Sequence, residues 1–379
     1  MKFGGTSVGS AERIAAVADL VRERLPSRPL VVVSALGGVT DQLIDGAHKA
    51  LRRDPDADGV VKRLRERHVS AVSSLLPEGA SRERVLAHVE AVLGELAVLY
   101  RGVHYLEELT PRSLDAISGM GERLSFEIAA AALLARGIPA KGVDSRQVLV
   151  TDGTFGRAVP EMAATRERLR ERVAPLLEQG AVPLLPGFIG ATAAGVATTL
   201  GRGGSDWSAS LFGALLDAEE IQIWTDVDGM LTVDPRVVPA ARPVPEVSFA
   251  EAAELAYFGA KVLHPATIRP AVDKGIPVRV LNTLNPAAPG TRIVADAAGA
   301  VGSPRALAFK KGLHVVLIRE PRMLGAHGFL ARVFEVFALH RTSVDLIATS
   351  EVSVSLTVDE PSSLPAIQAD LAELGDVQV

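Results

Sequence analysis

Short apolar runs that end in glycine or polar turns alternate with amphipathic helices along the first 285 residues, and few architectures accommodate that rhythm. Strand-like residues 1–3, a helix over 10–25 opened by Ser10, and the run "PLVVVSAL" form a first β-α-β unit with its strand at 30–34. Residues 45–110 read as amphipathic helix broken at Pro55 and Pro77, and a long apolar helix over 122–138 stops at Gly137. Further strands are predicted at 140–144, 181–190, 220–229 and 276–282, with helices at 160–179, 205–217, 248–258 and 266–274 between them. Strands this short and apolar are buried on both faces, so the alternation predicts an α/β fold, a parallel sheet between two helical layers.

The rhythm changes in "NPAAPGTRIVADAAGAVGSP" (285–304), rich in Ala, Gly and Pro. A strand at 313–318, a helix at 328–340, strands at 343–349 and 352–358 and a helix at 363–374 then predict a small β-α-β-β-α domain. "DVQV" (376–379) reads as the opening of another strand. Two domains follow, 1–292 and 305–379. A chain of 379 residues is long enough for that.

Composition narrows the function. A formal charge of −5 argues against binding that rests on neutralising nucleic-acid phosphates, and the absence of cysteine removes disulfides, thiolate catalysis and cysteine-held zinc. No leader segment or membrane span is read from the sequence, so a cytoplasmic location with no membrane partner is expected.

Five segments carry candidate chemistry. "MKFGGTSVGS" (1–10) sets Lys2 before Gly4 and Gly5, either an ordinary turn after a strand or a backbone approaching a phosphate. It is not a Walker A loop, whose Lys follows its glycines. "TTLGRGGSDWSAS" (198–210) surrounds Arg202 with glycines ahead of a helix that Ser205 and Asp206 are expected to cap, an arrangement suited to an anion. In "SGMGERLS" (118–125), Glu122 opens an apolar helix, where by itself a solvated first-turn carboxylate is the better reading. "IWTDVDGMLTVDPR" (223–236) runs from a strand into Thr225, Asp226, Asp228, Asp234 and Arg236, which suits ribose or Mg²⁺ contact and ordinary turn chemistry equally. In "FGAKVLHPA" (258–266), Lys261 suits phosphate contact or a solvated helix end, and His264 before Pro265 reads as structural. Cations and glycine turns without a nucleophile–base set suit phosphoryl transfer better than hydrolysis.

In order and spacing, "KFGGTSV", "SALGGVT", "GERLS", "TLGRGGSDWSA", "WTDVDG…DPR" and "FGAKVLHPAT" resemble the aspartate kinases of the amino acid kinase family. The segment "MLGAHGFLARVFEVFALHRTSVDLIATSEVSVSLTVD" (323–359) resembles the first ACT domain of the lysine-sensitive branch. The resemblance implies a three-layer αβα catalytic domain, with an aspartate lobe followed by an ATP lobe, and then a ferredoxin-like ACT domain. It also implies transfer of the γ-phosphoryl of Mg-ATP to the β-carboxylate of L-aspartate, the first step toward lysine, threonine and methionine. Mg²⁺ is held mainly through the nucleotide, and no protein metal ligand is assigned.

Carried over by position, Lys2 neutralises the phosphoryl in flight, oriented by Asp206, with Gly4 and Gly5 lending backbone N–H groups to the phosphates and Phe3 beside them in the nucleotide site. Arg202 grips the α-carboxylate of aspartate, and Glu122 receives its ammonium. Thr40, Gly203, Gly204 and Ser205 complete the substrate site. Thr225, Asp226, Leu231, Arg236, Lys261 and Val262 hold the nucleotide. Met323, Ala326, Phe329, Leu330, Ser343, Val344, Asp345, Ser350 and Glu351 match an effector site for L-lysine. Leu231 stands where the family often has Tyr, and Ala326 where Ser is usual. Relatives usually carry two ACT units and one is read here, so a truncation, or fusion to a larger polypeptide, is expected. A homodimer through the ACT domains is expected too, with the strand at 313–318 as its pairing edge. A non-catalytic amino-acid sensor on this fold would be expected to lose Lys2 or Asp206. Relatives acting on glutamate, carbamate or UMP are disfavoured by "GRGGSD" and "KVLHPAT" with an ACT tail.

Overall fold

The computed structural model describes residues 1–257, 265–297 and 305–379, in two compact units, Met1–Ala308 and Phe309–Val379. Strands of the first unit are β1 (Lys2–Phe3), β2 (Val31–Val33), β3 (Ala140–Gly142), β4 (Val150–Thr151), β5 (Val182–Pro186), β6 (Ile189–Thr192), β7 (Ala197–Thr199), β8 (Ile221–Thr225), β9 (Glu246–Ser248), β10 (Val278–Asn282) and β11 (Thr291–Val294). Eight of them form one sheet in the order β3-β5-β2-β1-β8-β10-β11-β9, parallel throughout except between β10 and β11.

Strand alternation sorts side chains into two layers. Phe3, Val31, Val33 and Trp224 join one core with the helices Ala11–Glu23, Val39–Leu51, Asp56–Leu75, Ala80–Leu106 and Met120–Ala135. Val32, Ile221, Ile223, Val278 and Val280 join the opposite core with Gly204–Leu215 and the residues around 268–276. The expected αβα sandwich is therefore present. Helix breaks fall at Pro55 and Pro77 as predicted, and the 10–25 helix is observed as Ala11–Glu23, with Ser10 Oγ accepting from the Arg13 N–H at 3.4 Å.

Two expected elements divide. The strand at 181–190 is two strands, β5 and β6, in different sheets. Between them Phe188 takes a left-handed φ of +65°, and a Cβ on Gly187 would lie 2.7 Å from that of Ser205. The chain must bend there to let the Ser205 turn pass. The helix at 160–179 is likewise Met162–Arg172 followed by Ala174–Glu178. A second sheet, β4-β6-β7, has no counterpart in the sequence reading apart from the β6 half of that strand.

In the second unit, β12 (His314–Arg319), β13 (Ile347–Thr349), β14 (Ser353–Val358) and β15 (Asp376–Gln378) form an antiparallel sheet in the order β13-β14-β12-β15. Helices Phe329–Leu339 and Leu364–Leu371 supply Phe329, Val333, Phe337, Ile367 and Leu371 to its core. The "DVQV" segment thus completes β-α-β-β-α-β. Its arrival corrects one expectation: β12 is an interior strand flanked by β14 and β15, so 313–318 offers no free pairing edge, and the edges are β13 and β15. The strand expected over 343–349 is also shorter, beginning at Ile347.

Candidate active site

In an open α/β sheet, ligands collect at the carboxyl ends of strands where connections leave in opposite directions. Here that point is β1: the chain steps to β2 on one side through the Ala11–Glu23 layer, while β8 is its other neighbour. Lys2 lies in register with Val32 and Ile223, both buried in the core behind the sheet. A lysine thus occupies a row otherwise filled by aliphatic side chains, and it is only 9% exposed. Its Nζ meets Asp206 Oδ1 at 2.6 Å. Burying such a pair returns little net stability, so its place on the central strand is better explained by chemistry.

The glycines around it are there for close approach. A Cβ on Gly5 would stand 3.0 Å from Ala35 O, and one on Gly37 3.1 Å from Gly5 O, because the loops after β1 and β2 cross backbone to backbone. The Gly37 N–H donates to Gly5 O at 3.0 Å. A Cβ on Gly4 would lie 3.4 Å from Lys2 Nζ, narrowing the space above the ammonium. The expectation that Gly4 offers its N–H freely to phosphate needs correction, since that N–H donates to Trp224 O at 3.3 Å. Phe3 faces away from Lys2 and stacks on Trp224, ring centroids 5.9 Å apart.

The Arg202 turn also differs from expectation. Gly201 and Gly203 have φ of +77° and +71°, a conformation that favours glycine, and Gly203 is the residue that opens the helix Gly204–Leu215. Ser205 and Asp206 therefore lie in the first helical turn instead of capping it, which frees the Asp206 carboxylate for Lys2. Arg202 is held out between the two glycines, exposed, and makes no ion pair among the described residues.

Glu122 overturns the solvated reading. It is 3% exposed, and one carboxylate oxygen accepts from the Ala35 N–H at 3.1 Å. The other, Oε2, is buried with no hydrogen-bond partner among the described residues. Burial, only partly offset by the backbone N–H groups, pushes its pKa up to about 8. An orphaned buried carboxylate oxygen is a place for a ligand cation. Thr40 sits in the first turn of Val39–Leu51, after Gly38 (φ +77°).

In the loop after β8 the two aspartates separate. Asp228 Oδ1 accepts from Asn282 at 2.7 Å and Asn285 at 3.1 Å, which is turn chemistry, whereas Asp226 is exposed and accepts from the Thr225 hydroxyl at 3.2 Å. Arg236 is 83% exposed at its side chain and paired with Asp234 at 2.7 Å, and Leu231 bridges Pro243. Lys261, Val262 and His264 lie outside the described residues. Phe188, unmarked in the sequence reading, packs on the helix start: a Cβ on Gly204 would be 2.8 Å from its ring. The signal available for it was the Gly-Phe pair that ends an apolar strand.

In the second unit, Met323, Ala326, Phe329, Leu330 and Ser350 line one groove of about 260 Å³, together with Thr349. Ser343, Val344, Asp345 and Glu351 do not line it. The Asp345 carboxylate is instead buried 3.7 Å from Lys310 Nζ, which also pairs with Asp359.

The family model described as the amino acid kinase family matches residues 1–282, and an ACT domain model matches 321–369. The chain is 41% identical over 372 residues to aspartokinase 1, chloroplastic, of Arabidopsis thaliana, spanning 96% of this chain and 63% of the relative. It is 40% identical over 367 residues to lysine-sensitive aspartokinase 3 of Escherichia coli (strain K12), spanning 96% and 78%. Crystal structures of E. coli aspartokinase III, one with lysine and aspartate and one with aspartate and ADP, superpose with a TM-score of 0.82 at 37% identity. They cover 100% of this chain and 83% or 84% of theirs. With its buried Lys2–Asp206 pair at the central strand, the chain belongs to the amino acid kinase family, among its aspartokinases. It spans about 63% of the length of the first Arabidopsis relative.

Proposed function

We propose that this chain moves the γ-phosphoryl group of ATP to the β-carboxylate of L-aspartate, giving 4-phospho-L-aspartate and ADP. The observation that carries the reading is the buried Lys2–Asp206 pair, 2.6 Å long, on the central strand β1 beside the glycine loop that follows it. The names of the relatives support it, as do the aspartate and ADP bound by the E. coli protein. In the transfer, an aspartate oxygen forms a bond to the γ-phosphorus while the bond to the bridging oxygen of ADP breaks. No general base is required, because a carboxylate with a pKa of about 4 is already ionised at neutral pH. The chemistry needs help for one anion approaching another. Lys2 supplies it at the phosphoryl group, and Asp206 keeps the ammonium aimed. Gly5 lets the loop approach.

On this reading Glu122 receives the substrate ammonium on its unpartnered oxygen, and Arg202 takes the α-carboxylate. Thr40, Ser205 and the Gly203 amide hydrogen-bond the substrate, while the Gly204 N–H is taken by Gly201 O at 3.0 Å and serves only to close the turn. Residues 1–292 form the catalytic domain, aspartate lobe first, and Thr225, Asp226, Leu231, Arg236, Lys261 and Val262 hold the nucleotide. The missing side chain at Gly4, where a Cβ would stand 3.4 Å from Lys2 Nζ, leaves the ammonium approachable by a phosphate, and Mg²⁺ carried on the nucleotide would neutralise part of the phosphate charge. The expected cytoplasmic setting belongs to the same reading. Among the described residues no helix is long and apolar enough to cross a membrane.

Arg202→Ala should raise the KM for aspartate roughly 10- to 150-fold, since a charge-assisted hydrogen bond is worth about 1.5–3 kcal/mol. Steady-state kinetics with varied aspartate test this, and an unchanged KM contradicts the role. Regulation is placed in the groove lined by Met323, Ala326, Phe329, Leu330 and Ser350, with L-lysine as effector and pairing of ACT units between two copies. Millimolar lysine is expected to lower the activity; an enzyme indifferent to it removes this part of the proposal.

A further inference from the structure

Asp115 has no part in the chemistry above, yet it is among the most completely bonded side chains of the first unit. It lies on the helix Pro111–Ser118 and is 3% exposed. Its Oδ1 accepts from the Gly156 N–H at 3.0 Å and the Thr199 hydroxyl at 2.7 Å. Its Oδ2 accepts from the Gly156 N–H at 2.9 Å and the Thr199 N–H at 2.9 Å. Among the described residues no lysine, arginine or histidine pairs with it. A buried carboxylate balanced only by neutral donors is a costly way to pack a helix, and an aliphatic side chain would stabilise the same interface more simply. What the carboxylate adds is geometry.

The bonded segments lead to the two groups assigned to the substrate. Thr199 ends β7, three residues before Arg202. Gly156 touches the same turn, because a Cβ on Gly201 would lie 2.7 Å from Gly156 O. In the other direction, the Gly119 N–H donates to Asp115 O at 3.1 Å, and Gly119 closes the Asp115 helix and opens the one carrying Glu122. Gly119 also admits β6: its Cβ would fall 2.7 Å from Ile189 Cγ2. One carboxylate therefore ties the helix pair bearing Glu122 to both strands of chain that shape the Arg202 turn.

We propose that Asp115 is a positioning residue that sets the spacing between Glu122 and Arg202, and with it recognition of the amino and carboxylate ends of the amino-acid substrate. This rests on the aspartate site described under Proposed function. In Asp115→Asn the volume is kept, but the charge is lost and one oxygen becomes an NH₂: at the Oδ1 position it faces one branch of the shared Gly156 N–H and reverses the Thr199 hydroxyl bond, so every remaining contact is neutral. The expected result is a KM for aspartate raised several-fold or more, with the KM for ATP within about twofold of wild type, as charge-assisted bonds give way to neutral ones of about half the strength. Thr199→Val, which removes only the hydroxyl, should raise the aspartate KM several-fold, and Thr199→Ser should return it to the wild-type value.

A purely structural Asp115 would instead lower the melting temperature and the active fraction and leave both KM values in place; that outcome, or a parallel rise in both, overturns the proposal. If Asp115→Asn does not fold, the Thr199 pair decides by the same comparison. Wild type and Arg202→Ala belong in the same experiment. A wild-type enzyme active on aspartate, whose KM responds to Arg202→Ala and not to the Asp115 or Thr199 changes, defeats this inference alone. A folded wild-type protein without activity on aspartate defeats the underlying reading together with it.

Discussion

Replacing Lys2 by alanine is expected to cut turnover by about three orders of magnitude or more, with much smaller changes in either KM. The ammonium stands where charge passes between ATP and the acceptor, and it is 9% exposed, so water cannot substitute for it cheaply. Its row-mates Val32 and Ile223 are fully enclosed, which restricts the stem to one path toward Asp206. Removing the ammonium also strands the Asp206 carboxylate, a loss of about 3–5 kcal/mol of stability for a buried pair. Circular dichroism and the melting temperature should therefore accompany the rate. Lys2→Met, which fills the stem's volume, should be as inactive as Lys2→Ala while packing better, and that separates lost chemistry from lost packing.

Glu122→Gln is the second large effect. In the ligand-free protein the Glu122 carboxyl has its pKa raised from 4.5 to about 8, chiefly by burial. Below about pH 8 the empty site is therefore protonated, and a bound substrate ammonium must drive that proton off. Aspartate affinity should rise with pH by up to about tenfold per unit between roughly pH 6 and 8, then level, with one proton released on binding. Calorimetry in buffers of differing ionisation enthalpy reads that proton directly. Glu122→Gln should flatten the profile and weaken aspartate binding by roughly 30-fold or more, the usual consequence of losing one partner of a buried charge pair. Stability moves the other way. The raised pKa means that the neutral carboxyl's contribution is complete below about pH 4.5 and disappears as pH climbs through about 8, so the ligand-free Gln variant should outlast wild type in alkaline melts.

How far the site was legible depended on distance along the chain. The glycine turns, the Arg202 segment and the alternation of strands are local signals, and each has its counterpart in the structure. The Lys2–Asp206 pair joins residues about 200 positions apart, and only the resemblance to the family placed them together. Ser205 and Asp206 look like helix caps in isolation; two left-handed glycines shift the helix start and release Asp206. Glu122 looks like any first-turn carboxylate, because nothing local reveals that Ala35 and the helix layer will enclose it. Asp115 was invisible for the same reason, its donors lying 41 and 84 residues away. In the second unit the final strand could be read from four residues, but which strand it would cover could not, and so the edge was misplaced.

The most direct test of the central claim is ATP-dependent formation of an acyl phosphate, trapped with hydroxylamine, with L-aspartate and L-glutamate compared side by side. Aspartyl hydroxamate should accumulate only with ATP present, far faster than the glutamyl product, and should vanish in Lys2→Ala. A folded wild-type protein that yields none, or a Lys2→Ala variant that matches it, would contradict the account.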